Sequence, residues 1–299
     1  MTPALTNQTE QDLKRFFEDK SNRTLRYLAH VSTIHDSVYA YRDQIHRLQD
    51  EGTFGLPGFF AGETLLDIGR RVDALIAAGR CVAPLKDRSH KLVGADIRNL
   101  TPRDRASSIG LEDPLVSVPE LVPLAFDCRL LGMATAYFQT VPMLSYVKVR
   151  KSFVNAIPPS PTQHFHVDIG TYRIFKVLMY LNDVEPGGGP FCYVKGSHRQ
   201  KFPGWESKRY SEQEVAAKYG SDRIVHYYAR AGDAMVVEST GFHCGEKPYA
   251  RDRAILILNY TVHPEYGFAY SPVRIRRQDL ESLPLYARAA ADALPVVAD

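Results

Sequence analysis

The chain has 299 residues, 44% hydrophobic and 24% charged, with a formal net charge of +3. That is the balance of an ordinary soluble globular protein, long enough to bury a sizeable core as one large domain with extensions. So slight and dispersed a charge excludes a nucleic-acid footprint, and the basic run Arg274-Ile275-Arg276-Arg277 is read as solvated surface.

From the N-terminus, Met1 to Lys20 is polar and lacks the apolar centre of a signal peptide. Helical spacing over residues 8 to about 50 (Leu13, Phe16, Phe17, Tyr27, Leu28, Val31) stops at the breaker Glu51-Gly52. It predicts one or two peripheral helices, an N-terminal extension over 1–52 ahead of a main domain over 53–299. After a turn at Leu56-Pro57-Gly58, Leu65, Ile68, Val72, Leu75 and Ile76 fall on one stripe and predict an amphipathic helix ending at Gly79. Residues 81 to 116 have no firm periodicity. A further helix is expected from near Val118-Pro119-Glu120, with the proline suited to a first turn, to about Tyr137.

From residue 143 the period becomes two. Leu144, Tyr146, Lys148 and Arg150 alternate with Ser145, Val147 and Val149 until the Pro-rich loop Ile157 to Pro161. Further strands are predicted around His166, over Ile174 to Val184, Phe191 to Val194, Val225 to Ala229, Ala234 to Glu238 and Arg253 to His263. The triple glycine Gly187-Gly188-Gly189 reads as a turn close to other backbone, and residues 201–222 as an insertion with a short helix over Glu212 to Tyr219. Apolar runs such as Ala254 to Leu258 are too short to span a bilayer. Helices first and short strands afterwards predict an α+β chain with a jelly-roll core of two antiparallel sheets.

Gln-His-Phe-His-Val-Asp, residues 163 to 168, carries the chemistry. On a strand His166 and Asp168 point the same way and can fill adjacent corners of a metal's coordination sphere. A facial non-haem Fe(II) site needs that pair and a second histidine, with the other face open; His243, past a Gly-Asp turn and an apolar strand, supplies it. In a chain with ten histidines His-x-Asp alone is weak, and the ordered set carries the weight. A 2-oxo acid bound at such a centre leaves a far carboxylate to be gripped, which a guanidinium does with two parallel hydrogen bonds. Arg253 fits, on the parity of Ile255, Ile257 and Asn259; Arg251 shares that parity and is the alternative. Lys148 and Tyr180 are further candidates for holding the co-substrate. Gln163, His164, Tyr172, Arg173, Tyr146 and Arg150 are candidates for touching the substrate.

Blander readings stand beside these. The triad is alternatively a hydrogen-bonded structural cluster, His164 a surface residue, and the tyrosines packing residues. His198 in Gly-Ser-His is read as fixing a loop. The four cysteines Cys81, Cys128, Cys192 and Cys244 form no Cys-x-x-Cys pair, so reduced thiols and a cytoplasmic location are expected, and Cys244 should face away from the metal. A zinc or nickel hydrolase or isomerase on the same three ligands, and a non-catalytic binding protein, remain open as other functions.

Two blocks carry a family resemblance: QHFHVDIGTYRIFKVLMYLNDVEPGGGPFCYVKGSHR, Gln163 to Arg199, and AGDAMVVESTGFHCGEKPYARDRAIL, Ala231 to Leu256. They resemble the phytanoyl-CoA dioxygenase family of Fe(II)/2-oxoglutarate-dependent oxygenases, with a weaker match extending over most of residues 55 to 263. The resemblance implies a double-stranded β-helix with His166, Asp168 and His243 as iron ligands and Arg253 as co-substrate anchor. It implies Fe(II), 2-oxoglutarate and O2 as cofactors, and oxidation of a small molecule, with an anionic or carrier-linked one favoured by the slight positive charge. Gly245 departs from the hydroxyl residue common in the family two places after the distal histidine. Related halogenases carry a small residue where Asp168 stands, so hydroxylation of an unactivated carbon is expected and halogenation is not.

Overall fold

Gly52 ends the first fully described helix, α1 (Arg42–Glu51), by adopting the left-handed conformation, φ 82°, and donating its N–H to the Leu48 carbonyl. The computed structural model describes residues 39–82, 106–169, 171–202, 204–205, 208–262, 273–291 and 294–298, together with Lys14, Glu18, Lys20 and Arg23. The predicted helical positions Leu13, Phe16, Phe17, Tyr27, Leu28 and Val31 lie outside them. Ile45 and Leu48 of α1 enter the main core. Helix α2 (Gly62–Ala77) buries Leu65, Ile68, Val72 and Ile76, the predicted stripe.

Ahead of the predicted start lies a short α3 (Pro114–Ser117), and the helix expected from near Val118 to Tyr137 is two pieces, α4 (Leu121–Ala125) and α5 (Cys128–Phe138). Asp127 makes the break, because its carboxylate accepts from the N–H groups of Arg129 and Leu130 and so starts a new helix. Leu121 to Phe138 is apolar enough by composition to cross a membrane, but it is interrupted there and lies in the core.

Seven strands form the large sheet: β1 (Thr53–Leu56), β2 (Cys81–Val82), β3 (Ser108–Leu111), β4 (Met143–Ser152), β5 (Phe175–Tyr180), β8 (Ala234–Val237) and β10 (Arg253–Thr261). Their order is β1-β8-β5-β10-β4-β3-β2, with every pairing antiparallel. β2 and β3 arise within the stretch that shows no periodicity. They are too short to display any. The small sheet runs β7 (Ile224–Tyr227), β6 (Phe191–Val194), β9 (His243–Gly245), and the insertion carries α6 (Glu212–Tyr219) as predicted. At the C-terminus β11 (Ile275–Arg276) pairs in parallel with β12 (Val296–Val297), bracketing α7 (Arg277–Ser282) and α8 (Leu285–Ala290). In the basic run Arg274 and Arg277 are exposed while Ile275 is buried.

Alternation along the strands sorts the core into layers. Val147, Val149, Val177, Met179, Leu256 and Leu258 face the helices. Leu178, Tyr180, Met235, Val237 and Ile255 face Phe191 and Tyr193 of the small sheet. Beyond the small sheet, Cys192, Val194 and Cys244 pack under Tyr210 and Val215 of the insertion. The register of β10 on β4 slips between Asn259 and Tyr260, with Ser145 the extra residue. That bulge turns Leu144 towards the helices, off the face of Tyr146, Lys148 and Arg150 with which simple alternation grouped it.

Candidate active site

One end of the space between the sheets is filled by aromatic and aliphatic side chains, and the other is a polar cleft. His166 forms an isolated bridge with His243, each backbone N–H donating to the other's carbonyl at 2.9 Å. This extends the small sheet by one pair and brings residues far apart in sequence side by side. Asp168 is held by its N–H donating to the Ser239 carbonyl at 2.9 Å. The segment from 163 to 168 is otherwise not a regular strand, its pairing being confined to Phe165 and His166.

The imidazoles of His166 and His243 are 4.4 Å apart between centroids. Nδ1 of His166 lies 2.8 Å from the His164 carbonyl and Nδ1 of His243 lies 2.9 Å from the Gly241 carbonyl. A carbonyl only accepts, so Nδ1 carries the proton and the Nε2 lone pairs are left for a metal. Nε2 of His243 stands 3.7 Å from Asp168 Oδ2, and one donor atom from each of the three residues lies within 4.8 Å of the others. Burial, then repulsion from His243, holds the His166 imidazole well below its ordinary pKa. Burial brings His243 down to about 4. Burial pushes the Asp168 carboxyl up, but the Lys176 ammonium, then His243 and His166, outweigh it and hold the group far below the carboxylate range. Two neutral imidazoles and one carboxylate with Nε2 unused are the donor set a facial Fe(II) site requires.

The large sheet forms the opposite wall. Register places Arg253 across from Ser152, Ile255 from Arg150 and Ile257 from Lys148 on β4, and Ile257 from Leu178 and Asn259 from Lys176 on β5. All of these but Asn259 line the cleft, with Tyr146, Thr162, Gln163 and Phe191. Including the solvent-filled mouth, the cleft spans ≈ 680 Å³. Arg253 is 3% exposed. It donates to the Gly189 carbonyl and, at 3.2 Å, to Ser152 Oγ, while its Nε has no partner. Among the described residues no carboxylate pairs with it. A buried guanidinium without a counter-anion costs several kcal/mol, on the order of the desolvation of one ion, so the wall is built for an anion.

Two glycines shape this anchor. A Cβ on Gly245 would lie 2.9 Å from Arg253 Nη2, so the hydroxyl residue usual in the family would collide with the guanidinium, and Ser152 supplies a hydroxyl from the other side. Gly189, φ 68°, would place a Cβ 2.5 Å from the Glu246 carbonyl. The triple-glycine turn thus runs against the loop that links β9 to β10 and delivers its carbonyl to Arg253.

The other candidates divide. Gln163, Tyr146, Lys148 and Arg150 line the cleft, and Arg150 Nη1 donates to Thr162 Oγ1 at 2.5 Å. Arg251 is exposed, outside the cleft, in the loop between the two sheets that precedes β10. Tyr180 shares the inner face but braces the two sheets, donating to the Tyr227 carbonyl at 2.8 Å and accepting from Phe191 N–H at 2.7 Å. It does not line the cleft. His164 and Tyr172 are exposed, and Arg173 lies over the Tyr137 ring; the strand parity that grouped His164 with the triad does not hold through this irregular stretch, and nearness in sequence to the metal pair does not bring Tyr172 or Arg173 into the cleft. Cys244 faces away from the cleft, as alternation requires. Lys176, 5% exposed and donating to Asp168 Oδ2, went unpredicted. Its signal was a lone lysine inside the apolar run Ile174 to Leu181.

The phytanoyl-CoA dioxygenase (PhyH) family profile matches residues 48–247, most of the chain and all three triad residues. No curated protein sequence matches. Among solved structures, the chain is similar to the non-heme α-ketoglutarate-dependent epimerase SnoN from nogalamycin biosynthesis, with a TM-score of 0.56 and 16% identity over 77% of this chain and 87% of that one. SnoN in complex with Fe3+, α-ketoglutarate and nogalamycin RO gives 0.56 and 16%, over 74% and 83%. The non-heme α-ketoglutarate-dependent carbocyclase SnoK gives 0.52 and 14%, over 75% and 85%. At such identities the likeness is one of fold, the double-stranded β-helix. The profile match goes further: the chain belongs to the phytanoyl-CoA dioxygenase family and is a 2-oxoglutarate-dependent non-haem iron enzyme that uses Fe(II), 2-oxoglutarate and O2.

Proposed function

We propose that His166, Asp168 and His243 hold Fe(II), that Arg253 grips the far carboxylate of 2-oxoglutarate, and that the enzyme hydroxylates an unactivated carbon of a small molecule admitted through the same mouth. The observation that carries this reading is the buried, unpaired Arg253 guanidinium on the wall opposite two free Nε2 atoms and a carboxylate. When bound, iron supplies oxygen activation coupled to oxidative decarboxylation of 2-oxoglutarate to succinate and carbon dioxide.

The chain's own residues do the rest. The Gly241 and His164 carbonyls fix both imidazoles in the ligand tautomer. Lys176 holds Asp168 Oδ2 and keeps the carboxylate ionised and oriented. Gly189 and Ser152 hold the Arg253 fork in place for a dicarboxylate. Leu178, Phe191, Ile255 and Ile257 make the rest of the wall apolar and limit water around the reacting atoms.

Hydroxylation is preferred over halogenation because Asp168 fills the place a halide would need. Lys148 and Arg150 add positive charge to the wall, which favours an anionic or carrier-linked substrate. That SnoN was crystallised with nogalamycin RO supports a cleft of this fold admitting a natural product. The test is turnover. With Fe(II) and a reductant, the protein should form succinate from 2-oxoglutarate only when oxygen is present, and an accepted substrate should gain one oxygen atom by mass. Oxygen-independent activity, or an isomerised substrate with no oxygen gained, would count against hydroxylation.

A further inference from the structure

The strands that present Phe191 and His243 to the cleft turn their alternate side chains outward, and there a second set of donors converges. Cys192 on β6 is in register with His226 on β7 and with Cys244 on β9, so all three side chains share the outer face. Glu246, just past β9, puts Oε1 3.2 Å from Cys192 Sγ and 3.1 Å from His226 Nε2. From the first turn of α6, Glu212 places Oε2 3.2 Å from the same nitrogen. Donor atoms of Cys192, His226 and Glu246 all lie within 4.8 Å of one another, the other such group beside the triad among the described residues.

Protein hydrogen bonding serves this cluster poorly. Nε2 of His226 carries at most one hydrogen yet faces two carboxylates, and Cys192, fully buried, is a weak donor aimed at one of them. A bound cation satisfies all four. With bonds of about 2.3 Å to sulfur and about 2.0 Å to nitrogen and oxygen, tetrahedral geometry separates neighbouring donors by roughly 3.3–3.6 Å. The spacings from Glu246 to Cys192 and to His226 need to open by only a few tenths of an ångström. Glu212, 3.2 Å from His226 but outside the set whose donors lie within 4.8 Å of one another, must swing in towards the rest. One thiolate, one imidazole and carboxylates suit a borderline metal and disfavour magnesium or calcium.

We propose that Cys192, His226 and Glu246, with Glu212 as fourth ligand, form a second metal site of the zinc(II) type on the outer face of the small sheet. Four protein ligands leave no open position, so its role is structural. It ties the insertion helix α6 to all three strands of the small sheet and braces from behind the strand that carries His243. Binding breaks the Cys192 S–H bond, forms a metal–sulfur bond and releases the proton to solvent. The proposal does not depend on the iron assignment.

The experiment uses the full chain, stripped of metal, kept reduced with a phosphine and titrated with Co(II). Two equivalents should bind. One should give a sulfur-to-cobalt charge-transfer band in the near ultraviolet, which the sulfur-free triad cannot produce. The band should survive Asp168→Ala and Cys244→Ser and vanish in Cys192→Ser. In His226→Gln and Glu246→Gln, changes at partly exposed positions that leave the core intact, cobalt affinity at this site should fall at least tenfold. Zinc should displace the cobalt and raise Tm by a few degrees. Absence of a sulfur band in the parent protein overturns the proposal and leaves a plain ion-pair knot around His226. So does a band that persists in folded Cys192→Ser, or affinity unchanged in both glutamine variants.

Discussion

The two walls of the cleft are built on opposite rules. The small-sheet wall, with His166, Asp168 and His243, gathers electron-pair donors for a cation, and each imidazole is set by a backbone carbonyl two residues away. The large-sheet wall gathers cations, Arg253, Lys176, Lys148 and Arg150, from alternate positions on three strands. On the proposed assignment a metal and a dicarboxylate are held by surfaces of opposite sign, and substitutions in each wall should affect different ligands. Where the walls touch, at Lys176 and Asp168, the separation should fail.

The largest effect is expected from Asp168→Ala, which removes the only carboxylate of the proposed ligand set. Fe(II) binding should be lost and turnover should fall by at least about a thousandfold, since activity requires the metal. Arg253→Ala should leave Fe(II) affinity intact and raise the KM for 2-oxoglutarate about a hundredfold, the scale of a lost charge-assisted pair. Excess 2-oxoglutarate should partly restore the rate. A loss of metal affinity in Arg253→Ala would erase the distinction between the walls.

Lys176→Met probes the contact between them. It should weaken Fe(II) binding about tenfold, as removal of a partner orienting a ligand does, with a smaller change in KM for 2-oxoglutarate. Gly245→Ala should raise that KM several-fold and spare the metal, because the new methyl group crowds only the guanidinium. The smallest effect is expected away from both walls. His198 donates from Nε2 to the Gln49 carbonyl at 3.0 Å, tying the Gly-Ser-His loop to α1 as a loop-fixing residue would. His198→Ala should lower Tm by a few degrees with unchanged KM values. Burial holds His198 at about 4, against about 6.5 for an unfolded histidine. The unfolded chain therefore takes up the proton first as pH falls from 6.5 to 4, and stability drops across that window. Thermal melts of the metal-free protein should show a shallower drop in the alanine variant.

The same contrast explains what the sequence made legible. The cation-binding wall could be read because its spacing is local: His-x-Asp lies within three residues, and a turn and one strand lead to His243. Arg253 was legible by parity along a nine-residue strand, Arg253–Thr261. Its exposed rival Arg251 shared the parity, and only the point where β10 begins, at Arg253, separates them. Lys176 escaped because burial, not spacing, marks it, and burial of a lysine in an apolar run is a property of the folded sheet. His164 was grouped with the site by extending alternation through a stretch with two isolated bridges and no ladder, and Tyr172 and Arg173 by nearness in sequence, which the bend after Asp168 does not convert into nearness in space. Tyr180 sits on the right face, but its hydroxyl is consumed by a bridge between sheets, a pairing no local pattern encodes. Likewise Asp127 splits an apolar stretch that reads as one helix, because a single cap outweighs its periodicity.

The central claim is that three donors on one wall bind iron while a guanidinium on the other orients the 2-oxo acid onto it. Adding Fe(II) and 2-oxoglutarate anaerobically to the metal-free protein measures both at once, through the weak visible charge-transfer absorption of the chelate. The band should appear with both ligands, vanish in Asp168→Ala, and require far more 2-oxoglutarate in Arg253→Ala. No band in the parent protein at saturating concentrations, or an undiminished band in Asp168→Ala, would contradict the assignment.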